Sequence, residues 1–344
     1  MARLCKVLAA VAAIWFFGSG VLYGAQVRRE VTLAIHPQKA PAEPGQFSLL
    51  PPEESLQDGD AVPLYEKAAR ALPDKAGDEQ IRKWLEMPIG QLPVEQVEQT
   101  LQRYMESLRY VARAAKCRQC NWPHGEPGQE MADQQGFRRL AFVVRLWARL
   151  EIARGGYDGA ILALQTGFGM GRHLGQAPTI LEILTAVGVG GALCIEVEEL
   201  VQREDSPNLY LALGGLPKPF VNVENAIEND AKEASARSNG RLSREQVKSR
   251  LKTDYDRARL VVKRIDVQVA ALQCVEAIRL YAGAHGGQLP GALTEVTENP
   301  VPRDPVSREL FGYTRTGSTA VLESAIPPGG NERNTVRYEI TIKN

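Results

Sequence analysis

Along most of the chain apolar residues return every three or four positions, and only near its end do they return every two. The first spacing lays a stripe along one side of an α-helix, the second fills one face of a β-strand. Val94, Val97, Leu101, Tyr104, Leu108 and Val111 predict one helix, opened by Pro93 and ending near Lys116. Shorter helices are predicted from Pro63 to Leu72 and from Asp78 through Ile81, Trp84 and Leu85. Three longer ones follow over 137–154, 157–174 and 178–202. Their joints, Gly155-Gly156 and Gly175-Gln176-Ala177, are short enough to make neighbours antiparallel. Asn208-Leu209-Tyr210 begins a short helix that stops at Gly214-Gly215, and the polar stretch 219–241 is expected on the surface. Over 243–284, Leu251, Tyr255, Ala258, Val262, Ile265, Val269 and Leu272 alternate steps of four and three. That heptad seam predicts one long helix, ended by Gly286-Gly287.

Past residue 300 the spacing changes. Val336, Tyr338, Ile340 and Ile342 alternate with Arg337, Glu339, Thr341 and Lys343, the pattern of a half-buried strand. Further strands are predicted over 310–315 and 319–324, giving a small antiparallel sheet against the end of the long helix.

Residues 7–27 have no polar face, because none of them is charged. In a helix rising about 1.5 Å per residue, such a run matches a hydrocarbon core of about 30 Å. Arg3 and Lys6 precede it, and Trp15 and Tyr23 are rings suited to membrane interfaces. Residues 1–29 are therefore expected to be a membrane anchor or a signal segment. The anchor is preferred because Tyr23-Gly24-Ala25 puts a bulky ring where cleavage wants a small residue. The expected location is the cell membrane, single-pass, with the body extracytoplasmic. Residues 30–60, with Pro37, Pro41, Pro44, Pro51 and Pro52, predict an extended stalk. A helical domain over 61–241 and a module over 242–344, long helix plus sheet, complete the expected order.

The apolar and charged contents, 44% and 24%, are those of a globular protein rather than a disordered one. Lys plus Arg equals Asp plus Glu, so no net field gathers phosphates. The basic residues between Arg237 and Lys263 interleave with Glu245, Asp254 and Asp256, a solvated face. No nucleic-acid partner is expected.

Candidate chemistry is sparse. Cys117 and Cys120, with His124, have Cys-x2-Cys-x3-His spacing, but structural zinc wants four ligands. A redox dithiol wants a helix N-terminus to lower its thiol pKa, whereas this pair follows the end of a helix, where the dipole opposes a thiolate. A structural disulfide or inert thiols is the expectation, with a zinc or redox module as the alternatives. Cys194 and Cys274 lie on helices and are expected as small buried residues, with a bridge between them as the alternative. Gly167, Gly169 and Gly171, and Gly188, Gly190 and Gly191, interrupt helices with no preceding strand. They fit close helix approach rather than a dinucleotide loop. Arg172 and His173 near a helix end suit carbonyl capping or an ion pair. Glu196 and Glu199, three apart, share one side of a helix. These four are the residues a hydrolase or metal-dependent enzyme would use. No cofactor is expected.

Two resemblances bear on the reading. Cys120-Asn121-Trp122-Pro123, Tyr157-Asp158-Gly159-Ala160, Arg172-His173, Pro178-Thr179, Pro207-Asn208-Leu209-Tyr210 and Leu216-Pro217-Lys218-Pro219 resemble a family of uncharacterised membrane-anchored bacterial proteins. That implies location and helical architecture, and no activity. Tyr281, His285-Gly286, Leu289-Pro290, Asp304-Pro305 and Tyr313 are similar to the C-terminal half of the major pseudopilins of type II secretion. Their processed N-terminus and calcium loop have no counterpart here, so neither assembly nor calcium binding carries over.

The expected fold is mainly α: a membrane helix, a helical bundle, and a long C-terminal helix with a small antiparallel β-sheet. The expected role is a non-enzymatic interaction or scaffold protein of the cell envelope, with a protein partner there. An extracytoplasmic hydrolase or metal-dependent enzyme is one alternative, and a zinc or redox module at the Cys-x-x-Cys another.

Overall fold

The computed structural model describes residues 29–39, 45–123, 134–239 and 241–343. The run 7–27 and His124, on which the anchor and zinc expectations rest, lie outside them. Strands β1 (Arg29–Ile35) and β2 (Gln57–Asp60) come first, then helices α1 (Val62–Arg70), α2 (Asp78–Glu86), α3 (Val94–Gln102) and α4 (Met105–Ala115). Strand β3 (Cys117–Gln119) leads to α5 (Gln134–Ala153), α6 (Tyr157–Leu174) and α7 (Ile180–Leu200). Next are α8 (Tyr210–Gly214), α9 (Glu224–Arg237), α10 (Arg244–Arg250) and α11 (Lys252–Ala284). Strands β4 (Gly312–Thr316), β5 (Thr319–Glu323) and β6 (Val336–Ile342) close the order. The chain is mainly α with a small sheet, as its periodicities predict.

Helix α7 forms the centre. A capping box starts it: the Thr179 hydroxyl accepts from Glu182 N–H, and the Glu182 carboxylate accepts from Thr179 N–H. By length and composition α7 is able to cross a membrane, yet it is mostly buried inside the body. A helix apolar on every side is buried by its neighbours instead, here α5, α6 and α11. Its small residues allow that packing. A Cβ on Gly167 of α6 would stand 2.5 Å from Leu193, and one on Gly190 would stand 3.1 Å from Phe220. Gly167, Gly169, Gly171 and Gly190 thus serve close approach, as their helical setting predicts.

Both long predicted helices are broken. The 93–116 stretch divides at Tyr104 (φ −104°, ψ 2°), whose ring is buried between α3 and α4. The 243–284 stretch divides at Leu251 (φ −99°, ψ 11°), between α10 and α11. Apolar spacing runs through both breaks, so the pattern does not mark them.

The sheet has order β1-β6-β5-β4. β4–β5 and β5–β6 are antiparallel, while β1 runs parallel to β6, from Arg29 opposite Val336 to Ile35 opposite Ile342. The sheet is therefore mixed, not antiparallel. This corrects the stalk as well, because residues 29–35 form a strand of the body. Val31, Leu33 and Ile35 alternate inward, Leu33 and Ile35 fully buried. Leu49 is buried too, and β2 pairs with β3. These apolar contacts offset the ordering of residues 45–60.

Residue 242 marks no break in the core. Tyr338 of β6 donates to Glu198 of α7 at 2.7 Å, and α11 packs along α7. After β1 the chain crosses α11, where Gln38 N–H donates to Arg279 O at 3.0 Å. The crossing lies so close to Gly283 that any Cβ there would collide with the Gln38 backbone.

Candidate functional site

His173 ends α6 inside an aromatic cage. Its Nε2 lies 3.1 Å from the Cys117 carbonyl, and its Nδ1 lies 2.9 Å from the Tyr65 hydroxyl. A carbonyl only accepts, so Nε2 carries the proton and Nδ1 accepts from Tyr65 O–H. The Trp122 indole N–H donates to His173 O at 2.7 Å. Tyr65 lies parallel to Trp122 at 6.2 Å, and Phe137 closes the cage edge-on to Trp122 at 5.6 Å. Burial, with the neighbouring Arg172 cation, holds the imidazole down near pKa 4. Burial raises the Tyr65 phenol. At neutral pH both are uncharged and mutually satisfied.

The Cys-x-x-Cys pair borders this cage. Cys117 and Cys120 are buried free thiols, as are Cys194 and Cys274, so neither disulfide alternative is formed. Cys117 follows the C-terminal end of α4 and directs its S–H toward Arg113 O at 3.6 Å. Burial and the Asp60 carboxylate raise both thiols of the pair, which disfavours the thiolate that redox or metal chemistry needs. Asp60 itself accepts from Val62 N–H and Asn121 N–H, fastening β2 to the chain after β3. Among the described residues no group of three or more His, Cys, Asp or Glu has the arrangement to hold a metal ion.

The four residues proposed for hydrolysis do not converge. His173 lies at the α6–α7 joint, whereas Glu196 lies sixteen residues along α7, about 24 Å away at the helical rise. Glu196 is fully buried and accepts from Arg145 Nε at 2.6 Å and Arg149 Nη1 at 3.1 Å. Those arginines also donate to Leu85 O and Met87 O, so the group caps the C-terminal end of α2 and binds it to α5 and α7. Glu199, raised by burial, is 3.5 Å from Arg149. Arg172 Nη2 is 3.5 Å from His173 Nε2.

Two further polar groups escape sequence reasoning. Glu276 and Arg279 of α11 are fully buried and paired at 2.9 Å. Asn208 Nδ2 and Leu209 N–H donate to the same carboxylate, while Arg279 donates to Ser206 and to His36 O. A signal existed: an acid and a base three apart in an otherwise apolar run. Between α9, α10 and α11 lies an open depression of about 630 Å3. Its charges are paired, Glu224 with Arg259, Glu228 with Lys248 and Asp256 with Lys252.

No family model, curated protein or solved structure matches the chain.

Proposed function

We propose that the chain is a non-enzymatic protein of the cell envelope, held in the membrane by residues 7–27 and presenting its helical body outside the cytoplasm to a protein partner. One observation carries the non-enzymatic part. Three buried groups that could do chemistry are each held by partners: His173 at both ring nitrogens, Glu196 by two arginines, Glu276 by an arginine, an asparagine and a backbone N–H. Such groups hold helices in place and present no poised acid, base or nucleophile. The membrane part rests on the uncharged run 7–27.

The test uses the full chain in its own envelope. It is expected to stay with membranes through an alkaline carbonate wash, and a C-terminal alkaline phosphatase fusion is expected to be active. Cross-linking there is expected to trap one protein reproducibly, and Glu196→Gln and His173→Gln variants that still fold should trap it equally. Release by carbonate, or an inactive fusion, overturns the placement. A small-molecule turnover abolished by His173→Gln in a folded chain overturns the non-enzymatic reading.

A further inference from the structure

We infer that the end of the sheet at which β1 begins is a lipid-docking surface, seated on the same bilayer that residues 7–27 enter. The inference rests on the membrane reading above, and goes beyond it by assigning a face and two side chains.

Strand register fixes which parts of the chain share that end. Arg29 begins β1 opposite Val336, Arg337 lies opposite Glu323, and Glu323 opposite Gly312. The starts of β1, β6 and β4 and the end of β5 therefore lie side by side. Leaving the sheet there are residues 1–28, the segment before β4, and the β5–β6 loop. The turn at Gly317 and Ser318 lies at the opposite end.

The distance to the bilayer follows. Val27 ends the uncharged run and Arg29 is already paired in the sheet. Two residues span about 7 Å at most. β4, three strand spacings away, lies about 14 Å to the side. A sheet tethered so closely brings this whole end to the headgroup level.

Two exposed large apolar side chains lie there. Ile326, in the β5–β6 loop, is 53% exposed, and Leu310, two residues before β4, is 37% exposed. Their loops are joined. The buried Asp304 carboxylate accepts from Ala325 N–H at 2.7 Å and from Val306 N–H at 2.8 Å, and Asp304 N–H donates to Glu309 O. Ile326 and Leu310 are thus each one residue from a clamped position. The charges carried by the two loops are mixed: Arg303, Arg308 and Arg333 against Glu309 and Glu332. The contact is accordingly apolar, and does not require an anionic lipid.

The test places an environment-sensitive fluorophore at Leu310→Cys, Ile326→Cys or, at the far end of the sheet, Ser318→Cys, in the full chain. The chain is reconstituted in phosphatidylcholine vesicles with brominated lipid. Flotation with the vesicles checks the membrane reading by itself. Quenching by brominated lipid several-fold stronger at 310 and 326 than at 318, little changed by salt, is the expected result. A chain that floats but shows equal quenching at all three sites overturns the docking surface and leaves the anchor standing. A chain that does not float overturns both. Probes at 310 and 326 shielded from aqueous iodide yet untouched by brominated lipid put a protein on this face, and overturn the inference too.

Discussion

Glu196 on α7 and Glu224 on α9 each face an arginine, at 2.6 Å and 2.8 Å, and the surroundings make the difference between them. Glu196 is fully buried with Arg145 and Arg149, so each charge depends on the others to offset its lost hydration. Glu224 and Arg259 are about half exposed, and water and salt supply most of what the pair supplies. Contact distance therefore does not rank these pairs. Burial does, and it separates the part of the molecule that fixes helix geometry from the part that is merely solvated.

The contrast is tested most severely at Glu196. Glu196→Ala leaves two buried cations and is expected to lower unfolding free energy by about 3–5 kcal/mol in urea titrations. Replacing Arg145, Arg149 and Glu196 together with apolar residues of similar volume is expected to recover most of that. A loss below about 1 kcal/mol would place Glu196 with the surface pairs.

Two other buried groups sharpen the comparison through pH. His173 is held near pKa 4, below its ordinary 6.5. Its contribution is full above about 6.5 and is lost as pH falls toward 4, by roughly 3 kcal/mol. Asp266 on α11, which accepts from Phe220 N–H at 2.8 Å, is raised by burial from 3.8 to about 6. Its sign is opposite: the unfolded carboxyl ionises first, so stability falls by roughly 3 kcal/mol as pH rises through that window. Between pH 4 and 6 the two slopes offset. Relative to the wild type, denaturant midpoints are expected to trend downward with rising pH in His173→Gln and upward in Asp266→Asn. Parallel curves for all three proteins would refute the assignment.

Tyr65→Phe removes the donor to His173 Nδ1 and is expected to cost about 1–3 kcal/mol, measured by the same titration. Smallest is Arg259→Ala, expected to change stability by about 1 kcal/mol or less and to lose even that in high salt.

The helices were legible because their apolar stripes repeat, and the strands from 312 onward because Val336, Tyr338, Ile340 and Ile342 alternate. β1 carried the same alternation in Val31, Leu33 and Ile35, but its partner β6 lies some 300 residues away, and pairing at that range leaves no local trace. The breaks at Tyr104 and Leu251 are invisible for a related reason, since both residues continue the stripe they interrupt. Of the cage, His173, Cys117 and Cys120 stood out by residue type. Tyr65 did not, because a tyrosine on the apolar side of a helix reads as core. Arg145 and Arg149, four apart on the buried side of α5, were the available clue to the Glu196 group.

The lengthwise pairing of β1 has a mechanical consequence. β1 enters the sheet at Arg29, runs beside β6 over its whole length, and then passes beneath Gly283. A pull on the leading end loads the ladder in shear, so its bonds share the force instead of opening one after another. Tension from the amino end should be met by a single high-force rupture in single-molecule stretching, not by a graded peeling.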